Sequence, residues 1–124
     1  MFQKNWMATF MALAVLFTGT LASAQNKNDV VGVWNYEVPN APYGYQKGKI
    51  TISLDKEKNL KGEVEFQDGY KIKIKDIELK EGKVILGMNI DYEYIKTEVS
   101  VNGKTMEGFV NSPDGKLKLT AKKS

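Results

Sequence analysis

No cysteine, histidine or arginine occurs in these 124 residues, and only three prolines do. Without histidine or cysteine, a Ser–His or Cys–His nucleophile pair cannot be assembled within one chain. Zinc and most transition metals lose their usual nitrogen and sulfur ligands. No disulfide can brace the fold, so a core or an assembly must hold it. Arginine is the side chain that grips phosphate and carboxylate bidentately. Its absence, with 18 lysines against 15 acids, makes a nucleic-acid partner a poor fit. No motif implies a cofactor.

The N-terminus reads as a targeting segment. Lys4 precedes the apolar stretch "MATFMALAVLF", too short for a comfortable membrane span, and "TGTLASAQ" then relaxes into small residues. Ala22 and Ala24 stand where a signal peptidase needs them, which predicts a signal peptide over 1–24 and cleavage between Ala24 and Gln25. An uncleaved anchor is the alternative. No cysteine follows the apolar stretch, so a lipid anchor is not expected. The remaining chain, 25–124, is the size of one small domain, expected to be periplasmic or secreted, with no further membrane-spanning segment.

From residue 30 onward, period-2 alternation dominates and predicts strands over 30–38, 47–55, 59–66, 70–79, 83–90, 94–101, 104–111 and 116–122. Turn signals separate them: "DKEKN", "QDG", "EG", "NG" and "SPDG". No stretch of this region shows helical periodicity. A three-residue "QDG" loop would pair Phe66 with Tyr70 and Val64 with Ile72. An "EG" turn would pair Leu79 with Val84 and Ile77 with Leu86. An Asn102-Gly103 turn would pair Val99 with Met106 and Thr97 with Gly108. Each register gathers apolar residues on one face.

One break stands out. In "YKIKIKDIEL" the apolar parity is even at Ile72 and Ile74, then odd at Ile77 and Leu79. A bulge near Lys75-Asp76 restores the register and bends the strand. Eight short antiparallel strands in meander order, with one apolar face and a bend, predict an all-β, closed or flattened up-and-down barrel; a two-sheet sandwich is the alternative. Gly62 and Gly108 fall on the inner face, where they are expected to make room for Trp34. With so many bulky inward residues, the interior is expected to be filled.

The "GVW" at 32–34, opening the first strand, resembles the G-x-W signature of lipocalin-like (calycin-type) barrels. The wider pattern of "GVWNYEVPNAPYGYQKG" early, "GKTMEGFV" late and "LTAKK" at the end is similar to small secreted lipocalin-like proteins of Bacteroidota. The resemblance implies that Gly32 and Trp34 are structural. It also implies that Trp34 closes the barrel floor beneath a basic side chain of the last strands, such as Lys122.

Acidic and basic clusters read mainly as solvated surface. Asp55, Glu57 and Asn59 alternate like the start of a calcium loop, but Leu60 stands where the sharp-turn glycine should be. The "NG" register sets Glu98 opposite Glu107, two carboxylates at the cross-strand spacing of an acid and base pair but expected on an open convex face. Lys71, Lys73 and Lys75 form a ladder for an acidic glycan or an anionic membrane, largely balanced by Glu63 and Glu65 across the hairpin.

The aromatic residues divide by parity. Trp34 and Tyr36 point inward as core. Tyr43 and Tyr45 lie in the proline-bounded loop "PNAPYGYQ", and Tyr92 and Tyr94 flank the tip "DYEY". If both tips share one barrel end, four phenols ring a mouth. The expected function is non-catalytic binding of a small apolar or glycan ligand there; the alternative is a protein-interaction module, such as an inhibitor of a secreted hydrolase.

Overall fold

The computed structural model describes residues 26–113 and 115–124. The expected signal peptide and its cleavage point lie outside them. A short helix, α1 (Lys27–Val30), leads into nine strands: β1 (Gly32–Glu37), β2 (Lys47–Leu54), β3 (Leu60–Phe66), β4 (Lys71–Ile74), β5 (Asp76–Lys80), β6 (Lys83–Ile90), β7 (Glu93–Asn102), β8 (Thr105–Ser112) and β9 (Gly115–Lys123). All pairings are antiparallel, in the order β4-β3-β2-β1-β9-β8-β7-β6-β5. The fold is an all-β, nearly closed up-and-down barrel, with nine strands where eight were expected.

The ninth strand comes from the bend at Lys75. β4 pairs with β3 and β5 with β6, so the two edges of the sheet are consecutive pieces of one bent strand. The amide of Lys75 donates to the Gly87 carbonyl at 2.8 Å and ties the seam. The cause is the parity switch: Ile74 is buried before the bend, and Ile77 and Leu79 pack against the core after it. Gly62 lies beside this bend, where an added Cβ would stand 2.8 Å from Ile74 Cδ1 and 3.2 Å from Ile77 Cδ1. It therefore makes room for the two isoleucines and not for Trp34. Gly108 is also small for another reason than expected: a Cβ there would run into the Glu98 carbonyl and the Val99 backbone, so β7 and β8 approach closely.

The hairpin registers follow the turn chemistry with one correction. Val64 pairs with Ile72, Leu79 with Val84 and Ile77 with Leu86, as the "QDG" and "EG" turns predict. At the "NG" hairpin, however, Asn102 pairs with Thr105, Val101 with Met106 and Val99 with Gly108. The two-residue turn is Gly103-Lys104, with φ of +65° at Gly103, which places glycine at the first central position of a II′-type turn. The shift is two residues, so every side chain keeps its face. It separates the expected acid pair: Glu98 faces Phe109 and Glu107 faces Ser100, while Lys118 sits 3.5 Å from Glu107.

The interior is filled. Trp34, Ile52, Leu86, Met106, Val30, Val84 and Val99 are essentially inaccessible, and Tyr36, Val38, Ile50, Val64, Phe66, Met88 and Leu119 are buried with them. Val30 enters from α1, which the alternation pattern missed. Its signal is a capping box: the Asn26 side chain accepts from the Asn28 and Asp29 amides at 2.8 and 3.3 Å, and Asp29 reaches back to the Asn26 amide.

At this helix end of the barrel, Trp34 Nε1 donates to the Val30 carbonyl at 2.9 Å. The side chain above its ring is Lys123 and not Lys122, with Nζ 5.0 Å from the centroid and 3.3 Å from the Asp29 carbonyl that accepts from it. Lys122 is exposed, because the alternation of β9 turns it outward. Gly32 has φ of +146°, and an added Cβ would stand 3.1 Å from the Lys123 stem. Glycine is thus needed here for the backbone, and the flexible lysine stem crosses beside it.

Candidate functional site

The opposite end of the barrel collects the loop 38–46, the turn 67–69 and the tip 91–92. The first loop is rigid by construction. Val38 donates to the Gln46 carbonyl at 2.7 Å, and Ala41 to Val38 at 3.0 Å across a turn with Pro39 in its second place. A second turn follows, in which the Tyr45 amide donates to the Pro42 carbonyl at 3.0 Å and Gly44 takes φ of +97°. That geometry is open to glycine in the third place and leaves Tyr43, in the second, 87% exposed.

Tyr45 turns back over the barrel. Its ring meets Phe66 edge-on at 5.0 Å, and its hydroxyl donates to Asp91 Oδ2 at 2.8 Å. The hydrogen bond to Asp91, and then burial, hold the Tyr45 phenol above its ordinary pKa. Beneath it, the Tyr36 hydroxyl donates to the Tyr45 carbonyl at 3.3 Å, and burial pushes the Tyr36 phenol up to about 12. Phe66 also stacks on Tyr70, with centroids 6.3 Å apart and planes 13° off parallel. Tyr45 is therefore a cap on a filled barrel.

Asp91 and Tyr92 form the two-residue turn between Ile90 and Glu93, with φ of +50° and +70°. Both central residues of such a turn need positive φ, which asparagine or aspartate tolerates and a bulky aromatic does not. Tyr92 is nevertheless there, and fully exposed. Tyr94 leaves the group. It lies on the outer wall, where its hydroxyl donates to Asp76 Oδ2 at 2.6 Å, a bond that is the main cause of its raised pKa. A Cβ on Gly87 would collide with that phenol, so Gly87 is the slot in which Tyr94 lies, strapping β7 to β5 across β6.

Of the four tyrosines expected to ring a mouth, the structure thus brings Tyr43, Tyr45 and Tyr92 to one end and turns Tyr94 to the wall. Sequence reasoning missed Asp91 and Tyr70. Both were readable: "DY" sits at the centre of the hairpin, and Tyr70 is the residue that the "QDG" loop pairs with Phe66. The acidic turn at 55–59 uses its own carboxylate, Asp55 Oδ1 accepting from the Glu57 and Asn59 amides at 2.8 and 2.9 Å. Lys71 stands 3.8 Å from Glu63, and the registers set Glu65 opposite Lys71 and Glu63 opposite Lys73, so two of the three lysines of that ladder face an acid. No protein-family model matches the chain, and no curated protein matches it.

Proposed function

We propose that this chain is a non-catalytic interaction module, exported from the cytoplasm, that presents the tyrosine end of its barrel to a protein partner. The observation that carries this is Tyr92: an aromatic side chain held at positive φ, fully exposed, on a tip fixed by the Tyr45–Asp91 bond. Backbone strain at a bulky residue persists where the surroundings impose it, and such strain concentrates at binding sites. A small ligand needs a concave site that buries most of its surface. Tyr43 and Tyr92 instead project, as anchors do when a partner supplies the pocket. The filled interior argues against carriage inside the barrel. The N-terminal segment and the G-x-W resemblance support an exported lipocalin-like protein.

A glycan is the second reading, favoured by Tyr70. Its ring stacks on Phe66 yet is 64% exposed, an aromatic platform next to Asp68.

A photo-crosslinking residue at position 92, compared with one at position 109 on the barrel wall, tests the proposal in the chain's own host. A discrete protein adduct from position 92 and none from 109 is expected. Equal adducts from both, or a bound small molecule by native mass spectrometry that is lost on Tyr43→Ala or Tyr92→Gly, would overturn it.

A further inference from the structure

A second surface, on the barrel wall, has a different chemistry. β1 lies between β2 and β9, and the outward residues of the three strands fall in two rows: Lys122–Asn35–Lys49 and Thr120–Glu37–Lys47. All six are exposed. They surround a depression of about 550 Å³, with Gln67 also lining it. That volume lies within the range of small-ligand sites.

The charge on this surface is uneven. Three lysines and one carboxylate, Glu37, line the depression; Glu65 on β3 stands opposite Lys49 but outside the lining, and the ion pairs Lys71–Glu63 and Lys118–Glu107 lie outside it as well. We infer that the depression holds an acidic oligosaccharide, whose carboxylate or sulfate groups meet Lys47, Lys49 and Lys122. Its hydroxyls meet Glu37, Asn35, Thr120 and Gln67.

Three features choose this class over other anions. Glu37 stands among the lysines, so a dense polyanion would meet repulsion at the centre, whereas a sugar hydroxyl donates to that carboxylate. Lys49 and Lys122 stand on strands two spacings apart, roughly 9.6 Å, which suits anionic groups separated by neutral sugar and not adjacent phosphates. The one aromatic residue lining the depression, Tyr36, is buried, so a nucleic-acid base finds no exposed ring to stack on. The depression adjoins the tyrosine end through Gln67 and Tyr36, but its three lysines stand on β2 and β9 and none of its lining is Tyr43 or Tyr92, so either site can fail without the other.

The test is an amide NMR titration of the isotopically labelled protein with a hyaluronan oligosaccharide, whose carboxylated sugars alternate with neutral ones, with a keratan sulfate oligosaccharide, which carries sulfate and no carboxylate, with neutral maltooligosaccharide and with inorganic phosphate, all at matched ionic strength. Shifts confined to 35–37, 47–49 and 120–122 are expected with one or both acidic sugars, and the two arms separate carboxylate from sulfate recognition. The triple variant Lys47→Gln, Lys49→Gln, Lys122→Gln should weaken binding at least about tenfold while its spectrum stays folded. Equal shifts with phosphate would overturn the inference, as would shifts centred on Lys71–Lys75 or the absence of any shift.

Discussion

The Tyr45 hydroxyl and the Asp91 carboxylate, 2.8 Å apart, join the first long loop of the chain to a hairpin tip 46 residues later. Neither residue belongs to a strand. The bond is what fixes one exposed tyrosine relative to another, since Tyr43 and Tyr92 are near neighbours of its two ends. Tyr45→Phe should keep the ring on Phe66 and remove only this tie. Because the bond is exposed, its loss should cost no more than about 0.5–1 kcal/mol. Faster amide exchange over 43–46 and 91–93, with the strands unchanged, is the expected readout. Unchanged exchange in both segments would mean that the bond does not set the geometry.

Tyr92→Gly separates stability from function. Glycine adopts φ of +70° without the steric cost a tyrosine bears. The variant should therefore be more stable, by about 0.5–1 kcal/mol or roughly 2–8 °C in Tm, and should lose the partner. A destabilised variant would show that Tyr92 is not strained, and one that binds as well as the parent would show that it is no anchor. Thermal unfolding, and crosslinking from position 43 with tyrosine or glycine at position 92, together decide it.

At the other end, the Trp34 indole, the Val30 carbonyl and Lys123 close the floor. Trp34→Phe removes the indole that donates to that carbonyl and leaves a void, at a cost of about 2–4 kcal/mol. Gly32→Ala should cost about 1–3 kcal/mol through its backbone. Adding Lys123→Ala to Gly32→Ala should not recover that loss, because φ of +146° strains alanine whatever space it has. Recovery would show the conflict to be with the lysine stem instead. Denaturant midpoints of the single and double variants supply the comparison.

Alternation of apolar residues made most of this architecture legible, and its failures have definite causes. The bend was readable because Ile74 and Ile77 cannot both face inward on a regular strand. The β7–β8 register was not, because pairings two residues apart, Val99 with Met106 or with Gly108, bury the same faces. The turn decides between them, and Asn102-Gly103 reads as a I′ turn unless the glycine is placed first in the pair. Helix α1 is four residues long, too short to show a period, so only Asn26 and Asp29 mark it. The fate of the tyrosines was least readable. Parity placed Tyr36 in the core, but it says nothing of Tyr45 in a loop. It would have turned Tyr94 outward, since Ile95, Thr97 and Val99 are the buried residues of its strand.

The buried phenol of Tyr36 predicts an alkaline limit to stability. Its pKa is pushed up to about 12 by burial, against 10.0 when free, so between those values the unfolded chain has lost a proton that the folded chain keeps. Where the unfolded state binds fewer protons, stability falls as pH rises. The contribution is complete below the unfolded value and gone once the pH passes the folded one. Tyr45 and Tyr94 are raised as well, by their bonds to Asp91 and Asp76, and act in the same direction. The denaturant midpoint should therefore fall steadily above about pH 10. Tyr36→Phe should flatten part of that fall, while at neutral pH it loses only the 3.3 Å bond to the Tyr45 carbonyl. An ultraviolet titration of the folded protein should show one phenol of the parent, absent from the variant, ionising last. If the midpoint of the parent does not move with pH in this range, or Tyr36→Phe falls as steeply as the parent, the Tyr36 hydroxyl is solvated and the cap formed by Tyr45 is open.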